Sequence, residues 1–115
     1  MTIGQKNLAE LFADHRQTRY AQTVTIADNE DVSGGIIAEL YYYLRWTIFI
    51  KTQGDVELTV EMSPDDGNTW YEIPDSPLSY GEATDHVIEF GYDADKMRIT
   101  ANTSTAVTAQ IKGIV

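Results

Sequence analysis

The spacing of apolar residues changes period once along the chain. Leu8, Leu11 and Phe12 recur at helical spacing, and Asn7 followed three positions later by Glu10 has the form of a capping box, which predicts a short helix over about residues 8–14. From residue 21 the period becomes two, and β-branched and aromatic residues take over. Val24 and Ile26 alternate with Thr23 and Thr25 before Asp28-Asn29-Glu30-Asp31 and Gly34-Gly35 punctuate the chain. Between Ile36 and Lys51, one parity carries Leu40, Tyr42, Leu44, Trp46, Ile48 and Ile50, a core-like face. The other carries Tyr41, Tyr43, Arg45, Thr47, Phe49 and Lys51. This stretch is longer than a typical strand, so a bend or bulge near Tyr41 to Tyr43 is expected to divide it.

The cleanest alternation follows Gly54-Asp55: Val56, Leu58, Val60 and Met62 point inward and Glu57, Thr59 and Glu61 outward, as in an antiparallel strand with one wet face. A tight turn over Ser63 to Asn68 returns the chain through Thr69 to Ile73. Pro74 and Pro77 then stop the ladder for want of a backbone donor, which leaves 74–85 as the longest loop. Strands at about 86–91 and 95–102 are joined by Gly91 to Ala94, and the last runs from about 105 to Val115. Strands recurring about every ten residues predict an all-β antiparallel sandwich of about eight strands, with a jelly roll among the topologies it admits. The expected division is an N-terminal arm over residues 1–20, with the short helix, and a β-sandwich domain over 21–115. A helix this short is not stable alone in water, so it packs on its own domain or folds onto a partner.

Charge sharpens this division. Lys6, Arg16 and Arg19 against Glu10 and Asp14 leave the arm at +1, so the chain's net −10 places −11 on the body. Such a surface repels a polyanion, which argues against a primary role on nucleic acid. No apolar run is long enough to span a bilayer, and the first residues lack the apolar core of a signal peptide. With 115 residues, an apolar share of 43% and no cysteine, the composition is that of one globular domain without disulfides or thiolate chemistry. The initiating Met1 and the apolar strand ending at Val115 suggest a complete small gene product.

One motif is sharp. Ser63-Pro64-Asp65-Asp66-Gly67-Asn68-Thr69-Trp70 fits Ser-x-Asp-x-Gly-x-Thr-Trp at all five specified positions. Ser63 and Asp65 are suited to accept hydrogen bonds from turn amides, Gly67 to supply a positive φ, Thr69 to restart the ladder and Trp70 to cover the hairpin. The segment resembles the Asp box of sialidases and other bacterial-neuraminidase-repeat proteins. The resemblance implies a structural turn remote from any catalytic centre and transfers no active-site residue. A single box cannot build a propeller, whose blades each need about 40–50 residues.

The remaining chemistry is sparse. His15 and His86 are the only histidines, no Gly-x-Ser-x-Gly elbow is present, and Asp85 and His86 would face opposite sides of a strand. The acids of 28–31, Asp65-Asp66 and Asp93/Asp95 do not match the twelve-residue calcium loop and read as solvated turn acids. No catalytic residue, metal site or cofactor is therefore expected. The tyrosine run 41–43, Trp46 and Trp70-Tyr71 point to core packing, a protein interface or a sugar platform.

A small cysteine-free acidic sandwich with a polar arm and the stretch Glu61 to Pro74 resembles small virion structural proteins of tailed bacteriophages. The resemblance implies assembly without catalysis: a capsid decoration or cement protein, made in the host cytoplasm and carried in the virion. Its expected partner is the major capsid protein or another virion protein, and such proteins often form homo-oligomers, commonly trimers. The expected contact residues are Leu8, Leu11, Phe12, Arg16 and Arg19 in the arm and Pro77 and Tyr80 in the proline loop. Two other readings stand beside it, a phage tail or connector component, and a carbohydrate-binding module that stacks sugars on Trp70, Tyr71 and the tyrosine run.

Overall fold

The computed structural model describes residues 21–41, 43–90 and 92–114. The predicted helix, and with it Leu8, Leu11, Phe12, Arg16 and Arg19, lies outside the described residues, as does Tyr42. The described chain forms nine strands: β1 (Ala21–Asp31), β2 (Ile36–Glu39), β3 (Arg45–Thr52), β4 (Val56–Ser63), β5 (Tyr71–Glu72), β6 (Leu78–Tyr80), β7 (Thr84–Phe90), β8 (Lys96–Ala101) and β9 (Ala106–Ile114).

One sheet has the order β1-β9-β3-β7, the other β2-β8-β4-β5 with β6 also on β4, and the pairings are antiparallel. First pairs with last, second with eighth, third with seventh, and β4 with the two short strands that follow it. This is a long hairpin rolled on itself, the jelly-roll arrangement. Inward residues of β3 and β9 (Trp46, Ile48, Ile50; Val107, Ala109, Ile111) and of β4 and β8 (Val56, Leu58, Val60, Met62; Met97, Ile99, Ala101) form one buried core.

Four local expectations are corrected or refined. The long apolar stretch does break near residues 41–43, but its halves enter different sheets, β2 in one and β3 in the other. The parity therefore fails across the break: Leu44, assigned to the core face, is 82% exposed, while Leu40, Trp46, Ile48 and Ile50 are buried. Asp28 to Asp31 do not lie beyond a strand but form the last four residues of β1. They continue β1 along β9 through register shifts after Thr25 and Ala27, with Asn29 at φ 50°. An edge strand tolerates such bulges because only one side carries a ladder. Val24 shares a row with the buried Ile111 yet remains 43% exposed at this edge.

The proline segment is also more ordered than a loop. Its Leu78 to Tyr80 pair with Val56 to Leu58 as β6, beyond Pro77. Between the stretches of β4 paired with β5 and β6, the Val60 amide would lack a partner, and it donates instead to the Ser76 hydroxyl at 2.9 Å. The Val60 carbonyl accepts from the Ile73 amide at 3.0 Å, so both polar groups of this buried residue are satisfied.

Candidate functional site

The motif hairpin is held by its own short side chains. The Ser63 hydroxyl, fully buried, accepts from the Gly67 amide at 2.7 Å and the Asp65 amide at 3.4 Å, and donates to Asp65 Oδ1 at 3.0 Å. The Asp65 carboxylate also accepts from the Thr69 amide at 2.8 Å and the Thr69 hydroxyl at 2.6 Å. These bonds, the Thr69 hydroxyl foremost, hold the Asp65 carboxyl below the ordinary 3.8. Asp66 and Gly67 take positive φ, 61° and 88°. Trp70 lies beside the turn, its Cζ2 3.6 Å from where a Gly67 Cβ would stand, and its ring lies beneath the Arg98 guanidinium at 4.4 Å. Arg98 is fixed from its other side by Glu61, with Nε and Nη2 each 3.0 Å from Oε1.

The hairpin is tied to the β7–β8 connection. The Asp95 amide donates to the Ser63 carbonyl at 2.8 Å, Asp95 Oδ2 accepts from the Asp66 amide at 2.9 Å, and Lys96 Nζ lies 3.3 Å from Asp66 Oδ1. This anchoring positions the wall of a cleft. Three chain segments that pass between sheets or strands meet there: Leu40, Tyr41 and 43–46 from the β2–β3 crossing, Pro64 from the hairpin and 92–95 from the β7–β8 crossing.

The cleft has a volume of about 380 Å³ and is lined by Tyr41, Tyr43, Leu44, Tyr92, Arg45 and Asp93, with Trp46 at its base. Tyr41 is 46% and Tyr92 38% exposed. Tyr43 lies over Gly113 so closely that a Cβ there would stand 2.2 Å from the ring, and burial lifts its phenol above the usual 10.0. The adjoining Leu44 amide donates to the Ile114 carbonyl at 2.7 Å, which leaves the Leu44 side chain turned to solvent. Chemically, the cleft offers aromatic and aliphatic surface with a guanidinium and carboxylates at its rim.

The sequence-predicted contact residues are divided by the structure. Pro77 is exposed. Tyr80, expected beside it on a contact loop, is only 7% exposed because β6 turns it into the sandwich. Its hydroxyl and His86 Nδ1 share a 2.6 Å hydrogen bond that joins the two sheets along their β6–β7 side, and burial raises the Tyr80 phenol. Asp85, on the opposite face from His86, meets Lys51 at 3.5 Å. Of the aromatics considered for a sugar platform, the cleft collects Tyr41 and Tyr43 but neither Trp70 nor Tyr71. Sequence reasoning missed Leu44, Tyr92 and Asp93 as site residues. The signal that could have marked Leu44 was the predicted bend, since a core parity cannot be carried through a bend.

No family model matches the chain, and no curated protein matches it. Among solved structures, the chain is similar to a mutant of a family 29 carbohydrate-binding module, at 14% identity over 82% of this chain and 83% of that one, with a TM-score of 0.35.

Proposed function

We propose that this chain is a non-enzymatic virion structural protein, a capsid decoration or cement component that contacts a neighbouring virion protein through the cleft end of its jelly roll. The observation that carries this reading is the 82% exposure of Leu44 on the rim of a cleft that also presents Tyr41 and Tyr92. Tyrosine rings beside an arginine, set in a concavity, have the composition of protein contact hot spots, and an exposed leucine next to them adds apolar surface for a partner to cover. The phage context comes from the sequence resemblance, and a rigid sandwich with an acidic body suits a part present in many copies that must not aggregate before it assembles.

Sugar binding is the second reading, favoured by the pairing of tyrosine rings with Asp93 and Arg45 in one cleft. It loses Trp70 as a platform, because Arg98 covers one face of that ring. The deciding experiment is cosedimentation of the full chain with empty phage heads that lack it, comparing the natural protein with Leu44→Asp and Tyr92→Ala. Binding that both changes abolish supports assembly. No binding to heads, together with a glycan-dependent change in the fluorescence of Trp46 at the cleft base, would replace it with the sugar reading.

A further inference from the structure

We infer that the open edge of β7 is a second contact surface, on which an extended segment of another protein adds as a further strand, with an apolar residue opposite Val87 and a basic residue opposite each of Asp85 and Glu89. None of these three residues lines the cleft, and the inference stands or falls without it. An edge strand presents a row of unpaired backbone groups, and shortness, bulges, proline or charge keep it from templating another strand. Among the described residues, three of the four sheet edges are blunted by their backbone. β1 has two register shifts and Asn29 at φ 50°, β2 has four residues, and the edge beyond β4 is made of β5 with two residues and β6 with three, just after Pro77. β7 has none of these devices. Its seven residues pair with β3 without a register shift, from Thr84 on Thr52 to Phe90 on Trp46, and the 2.6 Å bond between Tyr80 and His86 holds its inner side to β6.

Two hydrogen bonds fix which groups face outward. The Gln53 amide donates to the Ala106 carbonyl on the β9 side at 3.1 Å, and the Thr84 amide donates to the Thr52 hydroxyl on β3 at 3.1 Å. Strand alternation then aims the backbone of Thr84, His86, Ile88 and Phe90 at β3 and that of Asp85, Val87 and Glu89 at the open edge. Among the described residues no strand pairs with β7 on that side. The same three residues carry their side chains on the exposed outer face of the sheet. An added strand therefore gains its affinity from their amides and carbonyls and its specificity from their side chains.

The chemistry of the incoming strand follows from these three places. Val87 is 58% and its register partner Phe49 39% exposed, and both line a hollow of about 220 Å³ on the outer face. An apolar residue opposite Val87 extends this row. Asp85 and Glu89 flank Val87 on the same face, and an opposite charge directly across a strand is favourable where a like one is not. A second copy of β7 fails this demand. Two-fold pairing centred on Val87 sets Asp85 against Glu89 twice, and moving the centre by one residue either way sets Val87 against one of the two acids. The acids bar self-pairing and select a basic strand.

The test uses the full chain labelled with nitrogen-15 and a capped peptide, Thr-Lys-Thr-Val-Thr-Lys-Thr, whose alternate residues match the three places. Saturable shifts of the Asp85, Val87 and Glu89 amides are expected at millimolar peptide, with slowed hydrogen exchange at the same amides. Val87→Pro removes an outward donor and none that faces β3, so the ladder should persist while binding weakens by about fivefold or more. Asp85→Lys with Glu89→Lys should reverse the preference toward a peptide with Glu in place of both Lys, by up to about fivefold per pair. This charge reversal alters only exposed side chains and decides alone if the proline variant loses the ladder. Absent or unsaturable shifts, shifts spread over the acidic surface, undiminished binding by a folded Val87→Pro protein, or an unchanged preference after charge reversal each overturn the inference. Changes at β7 that follow protein concentration without peptide overturn it in favour of a second copy.

Discussion

The motif hairpin and the β2–β3 crossing lie side by side at one end of the molecule, and they are stabilised in opposite ways. In the hairpin, Ser63, Asp65 and Thr69 satisfy one another and the turn amides within seven residues of chain. In the crossing, Leu40 is buried, Tyr43 rests on Gly113 and Leu44 faces solvent, an order set by two sheets and a distant strand. A turn whose polar groups are locally saturated is a structural part. Apolar groups left at the surface by the geometry of a crossing are what a partner can use.

Substitutions separate the two regions, and the largest effect is expected where the crossing rests on β9. Gly113→Ala places a methyl group 2.2 Å from the Tyr43 ring. It should lower stability by about 1–3 kcal/mol by chemical denaturation, as overpacking does, and displace the cleft wall. Ser63→Ala leaves the Gly67 amide without its 2.7 Å acceptor beneath a fully buried position. A loss of about 1–2 kcal/mol is expected, and an unchanged denaturation midpoint would remove the hairpin's claim to self-sufficiency. Gly67→Ala meets only ordinary contacts, so its expected cost of about 1 kcal/mol comes from the positive φ of 88° alone.

The acid limb of stability should report the hairpin too. The folded Asp65 carboxyl titrates below its ordinary value of 3.8. Its stabilisation is therefore fully present above that value and is lost as pH falls through the lower folded one. Asp65→Asn should flatten this limb in a midpoint-against-pH series. Smallest in stability is Leu44→Asp, within about 0.5 kcal/mol because the side chain is solvent-exposed. The same change should abolish binding to the neighbour, and a stability loss above 1 kcal/mol would show that Leu44 belongs to the fold after all.

The sandwich was legible where alternation is strong. Val56, Leu58, Val60 and Met62 point inward as the pattern requires, since a strand with one wet face prints its orientation in every second residue. The hairpin was legible because its bonds run between residues two to four positions apart. The cleft was not, because Tyr41, Tyr92 and Pro64 come from three connections whose meeting depends on which strands pair. Tyr80 was misread for the same reason, since β6 could be recognised only through its partner β4.

The sequence by itself determined the all-β character of the described residues, the division of charge between residues 1–20 and the rest, the inward faces of the central strands and the self-bonded turn. All are local or periodic properties, decided by side-chain spacing and by groups within reach of one another along the chain. Only the tertiary structure decided the first-to-last pairing of the roll, the burial of Tyr80, the exposure of Leu44 and the cleft. Those depend on contacts between residues far apart in sequence, and pairing a strand with one neighbour instead of another leaves its own alternation unchanged.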